Sequence, residues 1–322
     1  MLKKSTIIGC GSFLPPKIIT NQELSKSLET SDEWIISRSG IAQRHIAEPN
    51  VVTSDLGAAA ALNALNHAGR SPDEIDLIIV ATTTPDRTFP ATAAYIQNKI
   101  GAKVGGAAFD VQAVCSGFVY ALSTASALVE KGQAKTALVI GAELMSRIID
   151  WEDRTTAVLF GDGAGAVIVE QCDSKSESYI IDHHLACDGA QSELLYVDGG
   201  PAYNQQVGHL RMKGKEVFRH AVENISHTVE TLLKRNNLSV GDIDWFVPHQ
   251  ANERIIKAVA QRIGMPEEKT VITVTHHANT SAASIPLAFD MAVKDGRIQK
   301  GQLVMTEAMG GGFTWGGNLF RY

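Results

Sequence analysis

Cysteine is scarce in this chain, and the four that occur stand apart. Cys10, Cys115, Cys172 and Cys187 form no Cys-x-x-Cys pair in 322 residues, which argues against a zinc ribbon and against a disulfide framework. The adjacent histidines His183–His184 and His276–His277 would point apart on a strand, so no metal site is expected. Long apolar runs are missing as well. No stretch approaches the roughly 18 to 20 apolar residues a membrane helix needs, and the run behind Lys3 and Lys4 is too short for a signal peptide. A soluble, cytoplasmic protein with no membrane partner is the expectation. Positive charge is not in surplus: the formal net charge is −6, so no general nucleic-acid surface is expected and any anion site must be local. Walker-lysine and Gly-x-Ser-x-Gly motifs do not occur, and the glycines at 161, 163 and 165 and at 310 to 312 run into strand-like residues, not a helix, which excludes a dinucleotide fingerprint.

What is present is ordinary globular material, 44% hydrophobic and 20% charged, long enough for one large domain or two of usual size. Apolar strands alternate with helices, the mark of an α/β architecture. Thr20 and Glu23 predict a capping box, Ser31 a second helix start, and Gly69 the end of an alanine-rich helix from Ser54 to Ala68. Ile75–Thr82 and Ala137–Gly141 read as buried strands, Thr92–Ile100 as a helix, and Ala157–Phe160 with Ala164–Val169 as a hairpin around Gly161-Asp162-Gly163. The polar stretch Gln171–Ser178 divides the chain into halves, 1–172 and 173–322. The pattern then restarts: Asp244-Trp245-Phe246-Val247 echoes Asp76-Leu77-Ile78-Ile79, and Val293-Lys294-Asp295-Gly296 echoes Val129-Glu130-Lys131-Gly132. Counting back 17 residues from Gly132 reaches Cys115, and from Gly296 reaches Asn279. A duplicated βα unit is expected, with Asn279 where the second half would carry its own Cys115.

Cys115 is the pivot. A strand-like run to Val111 ends there, and a helix of about Ser116–Lys131, apolar on nearly every side, begins. The helix amino end favours a thiolate; equally, a free cysteine can be a small buried hydrophobe. Two polar stretches could serve it. Pro248-His249-Gln250-Ala251-Asn252 puts His249 at a strand's end, and His277-Ala278-Asn279-Thr280-Ser281 opens a second helix. Taken singly, His249 could be a satisfied core histidine and Asn279 a helix cap.

Assembled, these segments closely resemble β-ketoacyl-acyl carrier protein synthase III. The match runs from Ser31-Asp32-Glu33-Trp34 and Arg44-His45 through Val114-Cys115-Ser116-Gly117-Phe118, Phe160 to Ala166 and Val247 to Asn252. It continues through Asn279 to Ser284 and closes on Gly310 to Gly316. The resemblance implies a thiolase-like duplicated fold of five αβαβα layers, a homodimer, and a catalytic triad of Cys115, His249 and Asn279. It implies that Cys115 takes an acyl group from acyl-CoA, acetyl-CoA being the expected primer. Malonyl-acyl carrier protein then decarboxylates and condenses, with no further cofactor. The oxyanion hole falls on the N–H groups of Cys115 and Gly311. The CoA contacts fall on Trp34, Arg38, Arg154 and Asn252. Phe89 would reach the partner's acyl pocket. Carrier-protein docking falls on Lys215, Arg219, Arg254 and Lys257, within a basic set that also includes Arg211 and Lys213. Ala278 departs from the glycine many members carry there.

Other readings differ in outcome. A thiolase would need a second cysteine near the C-terminal glycines, where Ala308-Met309 stand. A synthase making a quinolone or polyketide starter would keep the same triad. A cysteine hydrolase would release free acid from acyl-CoA without malonyl-carrier protein. A non-catalytic acyl-CoA-binding module would form no covalent acyl-enzyme.

Overall fold

The structure, a computed structural model, describes residues 3–322. Strand β1 (Lys4–Phe13) is followed by a ribbon of β2 (Ile18–Thr20) with β3 (Gln43–His45), which brackets helices α1 (Asn21–Leu24) and α2 (Asp32–Ser39). Both helices start on side-chain caps. Thr20 and Glu23 close the expected capping box, and Ser31 Oγ accepts from the Trp34 N–H at 3.1 Å. Helix α3 (Thr53–Ala68) stops at Gly69, whose φ of 62° is the left-handed conformation that glycine adopts most easily. Next come β4 (Leu77–Ala81), α4 (Thr92–Ile100) and β5 (Ala107–Val111), and the Asp110 carboxylate on β5 accepts from the first N–H groups of α4. A 3₁₀ turn at Val114–Ser116 leads into α5 (Gly117–Glu130), β6 (Thr136–Leu144) and β7 (Asp162–Cys172). The rest is β8 (Tyr179–Cys187), β9 (Leu195–Val197), β10 (Leu210–Met212), α6 (Gly214–Arg235), β11 (Trp245–Pro248) and α7 (Glu253–Ile263). A short α8 (Val274–His277), a 3₁₀ turn at Ser281–Ala283, α9 (Ser284–Lys294), β12 (Leu303–Gly310) and β13 (Thr314–Arg321) complete it.

Two sheets carry the fold, and their topologies match. The first runs β1-β7-β6-β4-β5 and the second β8-β13-β12-β11. In each, the outer pairs are antiparallel (β1 with β7, β8 with β13, then β7 with β6, β13 with β12), and the next pair is parallel. Where the second sheet would need a counterpart of β5, Thr270 makes a single parallel bridge to Phe246. Helices α3 and α4 cover one face of the first sheet, α6 and α7 one face of the second, and α5 with α9 fill the space between the sheets. The order is αβαβα, as the resemblance implied. Among the described residues no helix is long and apolar enough to cross a membrane.

The expected hairpin at 157–169 does not form. Strand β7 pairs with β1 and β6 instead, and Ala157–Phe160 is turn. The glycines that suggested a tight turn serve close packing. A side chain on Gly165 would meet the Leu287 backbone nitrogen at 2.6 Å, and one on Gly141 the Ala282 carbonyl oxygen at 2.2 Å. The central layer therefore lies directly on bare backbone of the first sheet. Gly165→Ala should cost about 1–3 kcal/mol through overpacking, read as a lowered midpoint of thermal unfolding; an unchanged midpoint would contradict this approach of α9 to β7.

Candidate active site

Cys115 lies in the 3₁₀ turn ahead of α5, held there by an unusual neighbour. Val114 has φ 48°, a left-handed conformation that β-branched residues avoid. Cys115 is buried, and its thiol is pushed up to about 12, mainly by burial, with the nearby Ser281 hydroxyl opposing and Glu143 adding. This corrects the expectation of a thiolate: loss of hydration outweighs the favourable field of the helix end.

His249 follows β11, where its N–H donates to the Glu307 carbonyl at 2.8 Å. Its Nδ1 lies 2.6 Å from Ser284 Oγ, and that oxygen accepts from the Gln250 N–H at 3.3 Å. The Gln250 N–H takes one lone pair of that oxygen and leaves its proton able to point at Nδ1, the arrangement in which the imidazole proton sits on Nε2. Burial drives the His249 pKa down to about 3, so the ring is neutral at ordinary pH. Asn279 is fixed on three sides. Its N–H donates to Leu159 O at 2.9 Å, its carbonyl accepts from Gly161 N–H at 3.0 Å, and its Oδ1 accepts from Ser281 N–H at 2.8 Å. With Oδ1 engaged, the amide's Nδ2 is the group left to donate. The methyl of Ala278 sits on a backbone with φ 56° and ψ −166°, a region suited to glycine.

All three residues line one cavity of about 460 Å³, and Arg38, Asn252, Lys215 and Arg254 stand on its wall. Asn252 caps α7 by accepting from the Arg254 N–H, and its Nδ2 donates to Arg38 O at 3.0 Å. Trp34 and Arg154 come together, the guanidinium carbon 5.5 Å from the ring centroid, though neither lines the cavity. Glycine 310 ends β12 against the Cys115 amide, where a Cβ would stand 2.6 Å from its nitrogen, and Gly311 follows in the turn. Arg219 is exposed outside the cavity; Lys257 is held by Glu253 at 2.7 Å and Glu267 at 3.4 Å. Arg211 does not belong to a free basic surface, because Asp150 and Asp198 pair with it at 2.8 and 2.7 Å. Phe89 is 81% exposed on its own chain.

Sequence reasoning missed three residues here. Ser284 orients the imidazole. Glu143, buried and raised by that burial, accepts from Thr84 Oγ1 at 2.7 Å and the Thr83 N–H at 3.0 Å. Glu307 lines the cavity, its Oε2 has no hydrogen-bond partner, and burial lifts its carboxyl to about 8. A lone glutamate inside an otherwise apolar strand, Ala142-Glu143-Leu144 or Thr306-Glu307-Ala308, was the available signal.

Known proteins share this sequence pattern and fold. Residues 109–189 match the family 3-oxoacyl-[acyl-carrier-protein] synthase III, and residues 233–322 match its C-terminal part. Over 324 residues the chain is 60% identical to a β-ketoacyl-[acyl-carrier-protein] synthase III of Paramagnetospirillum magneticum, covering 100% of both. The crystal structure of the 3-oxoacyl-[acyl-carrier-protein] synthase III of Aquifex aeolicus superposes with a TM-score of 0.93 at 44% identity, covering 99% of this chain and 100% of that one. A priming β-ketosynthase of a polyketide pathway reaches the same TM-score of 0.93 at 36% identity, covering 99% of this chain and 96% of that one. End-to-end identity at this level, carried by one fold, means that the chain belongs to the 3-oxoacyl-[acyl-carrier-protein] synthase III family.

Proposed function

We propose that the protein condenses a short acyl-CoA, acetyl-CoA foremost, with malonyl-acyl carrier protein, initiating type II fatty-acid synthesis in the cytoplasm. The observation that carries this reading is the convergence of Cys115, a neutral His249 and an Asn279 with a free amide donor on one cavity. The Cys115 sulfur attacks the thioester carbonyl, its proton leaves with the CoA sulfur, and an acyl-enzyme and CoA thiol result. The N–H groups of Cys115 and Gly311 hold the oxyanion. Malonyl-carrier protein then loses CO₂. Its enolate oxygen is held by His249 Nε2–H and Asn279 Nδ2–H, and its carbon attacks the acyl-enzyme. β-Ketoacyl-carrier protein leaves, and the Cys115 thiolate so released takes a proton from solvent. The steps balance without a further cofactor; the CoA thioester is a substrate.

Arg38 and Asn252 suit the phosphates and pantetheine of CoA at the cavity wall. The Trp34–Arg154 pair suits the adenine, which must part them, since a base between two planes needs about 3.5 Å on each side. Lys215, Arg219 and Arg254 offer positive charge to an acidic carrier protein. Lys257 offers little, being paired with two glutamates. Edge strand β5 and the exposed Phe89 suit a homodimer in which Phe89 reaches the partner's acyl pocket. The halves 1–172 and 173–322 then act as one nucleophile-bearing and one donor-bearing unit.

Mixing with acetyl-CoA should give a single acetyl adduct by intact-protein mass spectrometry, absent in Cys115→Ala and discharged as acetoacetyl-carrier protein on adding malonyl-carrier protein. Discharge by water alone would point to a hydrolase, and no adduct with any acyl-CoA would sink the nucleophile assignment. Removing the His249 or Asn279 donor should slow condensation about 10²–10³-fold while leaving acyl transfer largely intact. With its pKa near 3, His249 stays neutral as pH falls, so condensation should show no acid limb from it between about pH 5 and 8. Ser284→Ala, which frees the tautomer, should slow condensation more than acyl transfer; equal losses in both steps would refute the orienting role. Glu307 is protonated below about pH 8 and becomes a carboxylate above it, repelling the malonyl carboxylate. KM for malonyl-carrier protein should rise through that pH in the native enzyme and stay level in Glu307→Gln; parallel profiles would refute this.

A further inference from the structure

At the β1 edge of the first sheet, outside the active cavity, three metal-ligating side chains converge from separate elements. Cys10 lies on β1, His67 on the last turn of α3 and Asp290 on α9, and one ligand atom of each lies within 4.8 Å of the others. None of the three lines the active cavity. Cys10 and Asp290 are fully buried, while His67 is exposed and forms the solvent-facing rim.

Two of the polar groups here lack partners. The Asp290 carboxylate uses Oδ2 alone, accepting from Ser12 Oγ at 2.5 Å and Lys294 Nζ at 2.7 Å. Its Oδ1 and the Tyr322 hydroxyl are both buried with no nitrogen or oxygen partner, and the Cys10 thiol is the group that faces both side chains. An unpaired buried carboxylate oxygen costs free energy that a ligand would recover. The His67 Nδ1 lies 3.2 Å from the Cys10 backbone nitrogen and 3.1 Å from its carbonyl oxygen, contacts that a cation on that nitrogen would replace.

The distances fit a cation of known preference. Cys10 Sγ and His67 Nδ1 are 3.4 Å apart. A tetrahedral zinc with Zn–S about 2.3 Å and Zn–N about 2.0–2.1 Å spans an S···N edge of roughly 3.5 Å. One sulfur, one imidazole and one carboxylate oxygen suit zinc, cobalt or cadmium, not magnesium or calcium. We propose that Cys10, His67 and Asp290 form a binding site for a thiophilic divalent cation of the zinc class, with the Tyr322 hydroxyl or a water at the fourth corner. Binding replaces the S–H bond by a metal–sulfur bond and releases the proton to solvent. The nearby positive charges are Lys294, on the Asp290 oxygen the metal does not use and itself half-exposed, and Lys300, 3.7 Å over the Tyr322 ring. The bound cation would tie β1 and α3 of the first half to α9 of the second.

The test is a cobalt(II) titration of the purified full-length protein, followed by absorption. A thiolate-to-cobalt charge-transfer band saturating at one cation per chain is expected. It should persist in Cys115→Ala and Cys187→Ser, and be lost in Cys10→Ser and in His67→Gln, whose exposed position keeps folding out of the question. Zinc should raise the midpoint of thermal unfolding in the native protein and leave that of Cys10→Ser unmoved. No band, or a band lost in Cys115→Ala or Cys187→Ser but kept in Cys10→Ser, overturns the proposal.

Discussion

Everything in this molecule depends on how closely two helix-opening turns meet in its central layer. The 3₁₀ turn at Val114–Ser116 and the one at Ser281–Ala283 lie against each other between the sheets. Their approach is possible because side chains are absent where backbones cross. A Cβ on Gly117 would stand 3.4 Å from the Ala282 Cβ, and one on Gly141 would overlap the Ala282 carbonyl. Helices α5 and α9 are consequently apolar on nearly all sides, since each faces a sheet above and a sheet below. The same crossing brings residues far apart in sequence to one cavity: Cys115 from one turn, Asn279 from just ahead of the other, His249 from just past β11 and Glu307 from β12.

This closeness is bought with backbone strain at three points beside the site. Val114, Ala278 and Ser281 have φ of 48°, 56° and 49°, each a conformation that costs of order 1–3 kcal/mol in a residue with a side chain. Two immediately precede Cys115 and Asn279, and the third donates its N–H to Asn279 Oδ1. Such positions persist only where the surroundings leave no alternative. Here both the Ala278 methyl and the Ser281 side chain are completely buried, so the chain cannot relax without opening the core. Rigid placement of the two site residues follows from that confinement.

Much of this was legible in the sequence, and the exceptions share a cause. Caps at Thr20 and Ser31 and the stop at Gly69 are local codes, written in neighbouring residues, and the structure keeps them. The repeat was visible too, though its register differs. Val114 and Ser281, both left-handed, open equivalent turns, so the residue placed like Cys115 is Ala282; Asn279 lies three positions earlier. Counting back from Gly296 failed because α9 is 11 residues long and α5 is 14. The false hairpin at 157–169, the thiolate at Cys115 and the free charge on Arg211 all depend on what surrounds a residue in space. Glycines that admit a crossing helix resemble turn glycines, burial overrides a helix end, and Arg211 is matched by aspartates 61 and 13 residues away in sequence.

Burial also sets the chemistry at the reacting end of the cavity, by keeping His249, Glu307 and Cys115 uncharged. The shifts run in opposite directions for acids and bases, His249 down to about 3, Glu307 up to about 8 and Cys115 up to about 12, and loss of hydration is the leading cause of each. In the proposed condensation the malonyl carboxylate is the negative charge that must disappear, and the enolate the one that must form. An imidazolium at His249 would pair with the carboxylate and stabilise the state before CO₂ leaves, raising the barrier. A neutral Nε2–H, aimed by Ser284, and the Asn279 amide interact weakly with a carbonyl oxygen. They bind far more strongly once that oxygen becomes an enolate in a dry site. A cavity of fixed neutral donors therefore favours the transition state over the ground state, whereas fixed charge of either sign would favour or repel the substrate before reaction.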